Sequence, residues 1–145
     1  MEGGGTRHEI LPGLWLGNLE DARSFSMTMD VVVNCTVDLP FFGGYQRMRV
    51  PVDDNLSENE TLAPHLNRVV EIVLGYVERR KRVLVHCFAG IQRSAAVVAA
   101  IVMRDRGLDV QGAVEFVRAR RPDAFSGGVN FMPSLRIYEI GLSLK

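Results

Sequence analysis

The residues His86-Cys87-Phe88-Ala89-Gly90-Ile91-Gln92-Arg93-Ser94 carry a recognisable chemistry, because a thiol and a guanidinium enclose five residues between two apolar runs. The run before them, Val83-Leu84-Val85, reads as a buried strand, and Ser94 to Met103 after them reads as a buried helix. A strand, a tight turn and a helix in that order leave backbone N–H groups unpaired at the helix N-terminus. Those groups and the helix dipole attract anions. The backbones of Phe88, Ala89, Gly90, Ile91 and Gln92, with the Arg93 guanidinium, are therefore expected to cradle a phosphate over Cys87. A cysteine reacts as its thiolate, which a helix N-terminus and nearby cations stabilise. Arg93 offers a planar fork that matches two oxygens of a tetrahedral anion, which a lysine ammonium does not reproduce. Gly90 admits the backbone angles of an inward-facing N–H nest.

Cleavage of a phosphate ester by a thiolate also needs a proton for the leaving oxygen. Asp53 and Asp54 are the candidates, since they follow Arg49-Val50-Pro51-Val52, a run that reads as a strand able to deliver them to the same sheet edge as Cys87. Glu58 and Glu60 read as solvated residues leading into the next helix. Ser94 either caps the helix or hydrogen-bonds the Cys87 sulfur and eases its departure. His86 is a supporting residue that orients the loop through its ring N–H, without a part in proton transfer.

These residues need a scaffold, and the apolar pattern describes one. Ile10 to Gly17 mixes turn residues with a short strand, Val31 to Cys35 reads as a fully buried strand, and Arg47 to Val52 as another. Leu62, Leu66, Val69, Val73 and Tyr76 recur at helical spacing, with Pro64 tolerated in the first turn. Gly107 suits a helix C-cap. Val110, Ala113, Val114 and Val117 mark a further helix stopped by Pro122, and Phe131, Leu135, Tyr138 and Leu142 mark the last. Alternating strands and helices predict an α/β single domain, with a central, largely parallel sheet flanked by helices on both faces. Ligands of such sheets bind beyond the carboxyl ends of the strands, where the Cys87 loop lies.

At 145 residues the chain suits one domain, with Met1 to Arg7 (1–7) expected as a flexible tail and 8–145 as the folded unit. Seventeen basic and 17 acidic residues cancel, so no global field recruits nucleic acid or an anionic membrane. Neither partner is expected. The longest apolar run, Ala95 to Met103, falls short of the ~20 residues of a membrane span. Cys35 and Cys87 both lie in or beside apolar runs, which fits a reducing, cytoplasmic setting, with Cys35 read as a buried core thiol. Arg79-Arg80-Lys81-Arg82 precedes Val83 and belongs at the opposite strand end from Cys87, as a solvated turn. Arg118, Arg120 and Arg121 sit near a helix end, where cations complement the dipole, or where one meets a second substrate anion. Trp15 is expected to pack. Nothing in the sequence specifies an oligomeric state.

Taken together, the His-Cys-x5-Arg-Ser motif, Ile10-Leu11-Pro12-Gly13-Leu14-Trp15-Leu16-Gly17, Val33-Asn34-Cys35-Thr36, Val50-Pro51-Val52-Asp53-Asp54, Arg121-Pro122 and the Phe131 to Tyr138 segment resemble the small atypical dual-specificity phosphatases, within the cysteine-based protein tyrosine phosphatases. The resemblance spans most of the chain. It implies that 8–145 is a catalytic domain hydrolysing phosphotyrosine and phosphoserine or phosphothreonine in protein substrates, through a cysteinyl-phosphate and without a metal or other cofactor. By motif matching, Cys87 is the nucleophile, Arg93 the phosphate clamp, and Asp54 rather than Asp53 the acid and later the base. The chain departs from the family pattern at two places. Gln92 stands where many relatives carry serine, and Gly128 and Asn130 are exchanged relative to an Asn-x-Gly-Phe pattern. Phosphatases of phosphoinositides or of RNA 5'-triphosphates are the alternatives, but Phe88, Ala89, Ile91 and Gln92 supply no lysine, and Phe88-Ala89 with Arg93-Ser94 differs from a Thr-His and Arg-Thr pattern. A phosphate-binding pseudoenzyme would lack one of Cys87, Arg93 and Asp54.

Overall fold

The computed structural model describes residues 7–144; the tail expected at 1–7 lies, apart from Arg7, outside them. In chain order the elements are β1 (His8–Leu11), β2 (Leu14–Gly17), α1 (Leu19–Phe25), β3 (Val31–Asn34), β4 (Gln46–Arg49), α2 (Ala63–Glu78), β5 (Val83–His86), α3 (Arg93–Arg106), α4 (Val110–Arg120) and α5 (Met132–Ser143). The strands form one sheet in the order β1-β2-β5-β3-β4. β2, β5, β3 and β4 run parallel, and β1 pairs antiparallel with β2. Central parallel strands are covered on both faces and so read as unbroken apolar runs. Every residue of β3 and β5 is buried accordingly.

Side chains of the strands alternate between two packed layers. Leu14, Leu16, Val31, Val33, Val83 and Val85 join the main core with α2, α3, α4 and α5. Val32 and Leu84 face the other way, toward Ala22 and Met29, with Trp15, Phe25, Phe41 and Phe42 packed around them. Helices therefore cover both faces, as the sequence pattern predicts, with α1 alone on the second. α3 lies within the main core, and Ser94 to Met103 are buried without interruption. Gly107 ends that helix at φ 64°, in the left-handed region where a glycine C-cap is favoured. Trp15 packs as expected, with the Arg7 guanidinium 4.3 Å from its ring centroid. No helix among the described residues is long and apolar enough to cross a membrane.

Three local details differ from the sequence pattern. Ile10 to Gly17 is a hairpin rather than one strand, because Pro12-Gly13 turns the chain and Gly13 takes φ 84°. The strand expected through Val52 ends at Arg49, since Pro51 has no N–H for the ladder, although Val50 and Val52 stay in the core. α1 is too short to show a helical period. A reciprocal capping box starts it: Asp21 N donates to Asn18 Oδ1 at 2.9 Å, and Asn18 N donates to Asp21 Oδ2 at 2.8 Å.

β5 occupies the middle of the sheet, with His86 in register with Gly17 on one side and Asn34 on the other. Cys87 consequently leaves the sheet between two neighbours at its carboxyl edge. His86 is fully buried; its Nδ1 donates to the Cys87 carbonyl at 3.3 Å, and its Nε2 has no partner among the described residues. Burial holds its pKa below the ordinary value, with the Arg49 charge acting in the same direction. An unfolded chain protonates this imidazole as pH falls through ~6.5, whereas the folded chain keeps it neutral to lower pH, so the unfolded state binds more protons in that interval. Folding stability is thus highest above that pH and decreases below it. Urea unfolding at about pH 7.5 and about pH 5.5 is expected to show a larger loss of stability for the wild type than for His86→Asn. Equal losses would show that His86 is not the source.

Candidate active site

Cys87 lies at the floor of the loop between β5 and α3, 2% exposed. Its Sγ accepts a hydrogen bond from Gly90 N at 3.3 Å and lies 3.0 Å from Ser94 Oγ. Ser94 is therefore not the cap of α3. The N-cap residue is Gln92, and Ser94 is buried in the first turn with its hydroxyl against the sulfur. A backbone N–H and a hydroxyl thus both address the sulfur at the N-terminus of α3.

A loop that turns its N–H groups inward must turn its carbonyls outward, and buried carbonyls need donors. Each one here has a partner. His86 Nδ1 serves Cys87 O at 3.3 Å, Leu19 N serves Phe88 O at 2.9 Å, and Phe125 N serves Ile91 O at 2.9 Å. Arg121 Nε serves Gly90 O at 2.8 Å, and its Nη2 reaches Ala89 O at 3.5 Å. Gln92 O enters the helix ladder through Ala96 N at 2.9 Å. Gly90 takes φ 70°, and a Cβ there would lie 2.5 Å from Gly17 O and 2.6 Å from Arg121 Nη2. No other residue fits without moving backbone.

Arg121 is the supporting residue that sequence reasoning misassigned. Rather than complementing a helix dipole or meeting a second anion, it is 4% exposed and braces the loop from behind. Its Nη1 also donates to His8 Nδ1 at 2.9 Å. Burial and the Arg121 charge both hold the His8 pKa below its ordinary value, so the ring stays an acceptor. Arg118, although exposed, donates to Ala124 O and Phe125 O, both at 3.0 Å. Arg120 stacks on Phe116, 3.6 Å from the ring centroid. The signal available in the sequence was Pro122 after Arg121, which forces the chain out of the helix at that residue.

Arg93 Nη1 donates to Val52 O at 3.1 Å, joining the start of α3 to the segment that carries the aspartates. Its Nε is buried with no hydrogen-bond partner among the described residues. Asp53 and Asp54 are both exposed. Asp54 Oδ1 accepts from Asn130 Nδ2 at 3.4 Å, whereas Asp53 has no hydrogen-bond partner among the described residues. Phe88 and Ala89 form an exposed rim, with Phe88 60% accessible. Cys35 is fully buried on β3's extension, and burial, reinforced by the neighbouring Cys87 charge, pushes its thiol well above the ordinary range. The basic run Arg79 to Arg82 is exposed at the amino end of β5, as expected. A cavity of about 350 Å³ nearby, bordered by Asp30, Tyr45, Tyr76 and Lys81, lies at the opposite end of the strands from Cys87.

Comparison with known proteins agrees with this arrangement. A sequence model of the dual specificity phosphatase catalytic domain matches residues 14–140. Human dual specificity protein phosphatase 8 is 34% identical over 142 residues, which cover 93% of this chain and 22% of that protein. Drosophila melanogaster dual specificity protein phosphatase Mpk3 is 34% identical over 146 residues, 94% of this chain and 35% of that one. The chain thus spans about a fifth to a third of these curated relatives. The putative tyrosine phosphatase 123R of Invertebrate iridescent virus 6 is closer in length: 33% identity over 132 residues covers 90% of each chain. The crystal structure of human DUSP28 has a TM-score of 0.84 and 29% identity, covering 95% of both chains. A buried cysteine at the floor of the loop between β5 and α3, on a sheet and helix arrangement shared with human DUSP28 and within a matching domain model, places this chain in the dual specificity phosphatase family.

Proposed function

We propose that this protein is a phosphatase of phosphorylated proteins, hydrolysing phosphotyrosine and phosphoserine or phosphothreonine through a cysteinyl-phosphate. The observation that carries the reading is the surroundings of the Cys87 sulfur: Gly90 N at 3.3 Å, Ser94 Oγ at 3.0 Å, and the N-terminus of α3. The backbone N–H groups of residues 88–92 and the unpaired Nε edge of Arg93 would hold the phosphoryl oxygens. Charge on those oxygens grows as the phosphoryl group transfers, so fixed donors stabilise the transition state more than the ground state.

In the first step a bond forms between Cys87 Sγ and phosphorus as the bond to the leaving oxygen breaks. Asp54 supplies the proton that makes that oxygen a neutral alcohol or phenol. A water then attacks phosphorus and gives its proton to Asp54 while the sulfur–phosphorus bond breaks. The Ser94 hydroxyl, at 3.0 Å, donates to the departing thiolate. Inorganic phosphate leaves and Cys87 and Asp54 are restored. Asp54 rather than Asp53 has this role because Asn130 holds its carboxyl, at 3.4 Å. His86 supports the loop from the core and moves no proton. A thiolate nucleophile must stay reduced, which suits a cytoplasmic setting.

The exposed rim of Phe88 and Ala89 and the absence of lysine from residues 88–92 support protein phosphates over polyanionic substrates. A panel of phosphopeptides, phosphoinositides and triphosphorylated RNA at matched ionic strength tests this. Phosphopeptides are expected to give the highest kcat/KM, and an advantage of about tenfold or more for either other class would replace the reading. Cys87→Ser is expected to abolish turnover while phosphate binding and fold persist; activity within about tenfold of wild type would exclude the covalent route. Asp54→Ala is expected to lower kcat by ~10²–10⁴-fold and to weaken the high-pH limb of the rate profile. The same loss in Asp53→Ala, with Asp54→Ala unaffected, would move the acid by one position.

A further inference from the structure

Gln92 does more than close the phosphate loop. It is 7% exposed, and although it is the N-cap residue of α3, its side chain makes no bond to the helix. The amide instead reaches outward into the segment between α4 and α5. Its Nε2 donates to Gly128 O at 2.8 Å and to Ser126 O at 3.3 Å, while its Oε1 accepts from Asn130 N at 3.0 Å. A glutamine amide has one acceptor and two donor hydrogens, and here both ends are committed to the backbone of one short segment.

The segment itself is built to be held. Phe125 is fully buried with φ 61°, a conformation strained for a residue with a Cβ, offset by burial of its ring. Gly127 and Gly128 follow at φ 82° and 117°. This path presents Asn130 to Asp54, whose Oδ1 accepts from Asn130 Nδ2 at 3.4 Å. The two departures from the family pattern, Gln92 and the exchange of Gly128 with Asn130, therefore meet in space.

We infer that Gln92 and Asn130 are positioning residues for the Asp54 carboxyl: Gln92 sets the backbone of Asn130, and Asn130 sets the rotation of Asp54. An N–H donor on Oδ1 makes that oxygen the acceptor, so the transferable proton sits on Oδ2. One carboxyl oxygen is held while the other faces the substrate. The segment of Asp54 has no regular structure, and its other tie to the phosphate loop runs through the Val52 backbone to Arg93 at 3.1 Å. That tie fixes where the chain lies but leaves the carboxyl free to turn. The link through Asn130 restricts that rotation. The inference rests on Asp54 being the acid.

The test separates this role from a general structural one by leaving-group chemistry, since protonation matters more as the leaving oxygen becomes more basic. Kinetics are measured on aryl monophosphates whose phenols span about four pKa units. Asp54→Asn is expected to make kcat fall steeply with leaving-group pKa. Asn130→Ala is expected to lower kcat about fivefold on the poorest leaving group, the size of one lost hydrogen bond, with KM unchanged and a smaller loss on the best one. Gln92→Ala should follow the same slope. In the Asp54→Asn background, Asn130→Ala should add nothing, because the group it positions no longer donates. Asn130 is half-buried outside the main core, so its alanine variant keeps the fold. A uniform loss across leaving groups, or full additivity with Asp54→Asn, would overturn the positioning role while leaving Asp54 as the acid. A flat response of Asp54→Asn itself would overturn the acid assignment and the positioning role together.

Discussion

The loop from Cys87 to Gln92 directs its carbonyl groups to the protein interior, and satisfying those carbonyls is the constraint on which the rest of this structure depends. Six consecutive carbonyls, from Cys87 to Gln92, receive donors from His86, α1, Arg121, the Phe125 turn and α3 itself. Buried carbonyls left without partners would cost more than their hydrogen bonds stabilise when made. Elements outside the loop, α1 and the end of α4 among them, are thus required by it. α1 starts where its Leu19 N–H meets Phe88 O, and its capping box fixes that start.

The same constraint explains residues that touch no substrate. Gly90 lies so close to Gly17 O and to Arg121 that a Cβ has no space, which locks the end of β2, the loop and the end of α4 together. Arg121 is buried with its charge, which burial alone disfavours. Its guanidinium is retained because its donors point along fixed directions and reach two adjacent loop carbonyls as well as His8.

The aspartate segment leaves the core at Val52, which is 2% exposed. It has no regular structure, and hydrogen bonds from Arg93 and Asn130 hold it. A rigid cradle and a tethered acid suit the two demands of the proposed reaction: fixed donors for charge on phosphoryl oxygens, and a carboxyl that serves first a leaving group and then a water.

Much of this was legible from residue order, because the relevant forces act between near neighbours. Cys87, Arg93 and Gly90 belong to one covalent stretch, so strand, turn and helix propensities alone bring them together. The unbroken apolar runs of β3, β5 and α3 announced their burial, and Gly107, Pro64 and Pro122 marked helix ends by stereochemistry. The brief α1 spans too few residues for a period to show, whereas the hairpin within Ile10 to Gly17 and the early end of β4 turn on single residues, Pro12-Gly13 and Pro51, that an apolar pattern does not weigh. Tertiary structure alone decided the partners. Arg121 could be read as a solvated cation until the fold placed it behind Gly90, 31 positions away in sequence. Gln92 and Asn130 looked like two unrelated departures until α3 and the Phe125 turn brought them within 3.0 Å. Sequence by itself determined the loop that presents Cys87 and the layers beneath it. Which side chains hold that loop and Asp54 depended on contacts between distant segments, and those exist only once the core has packed.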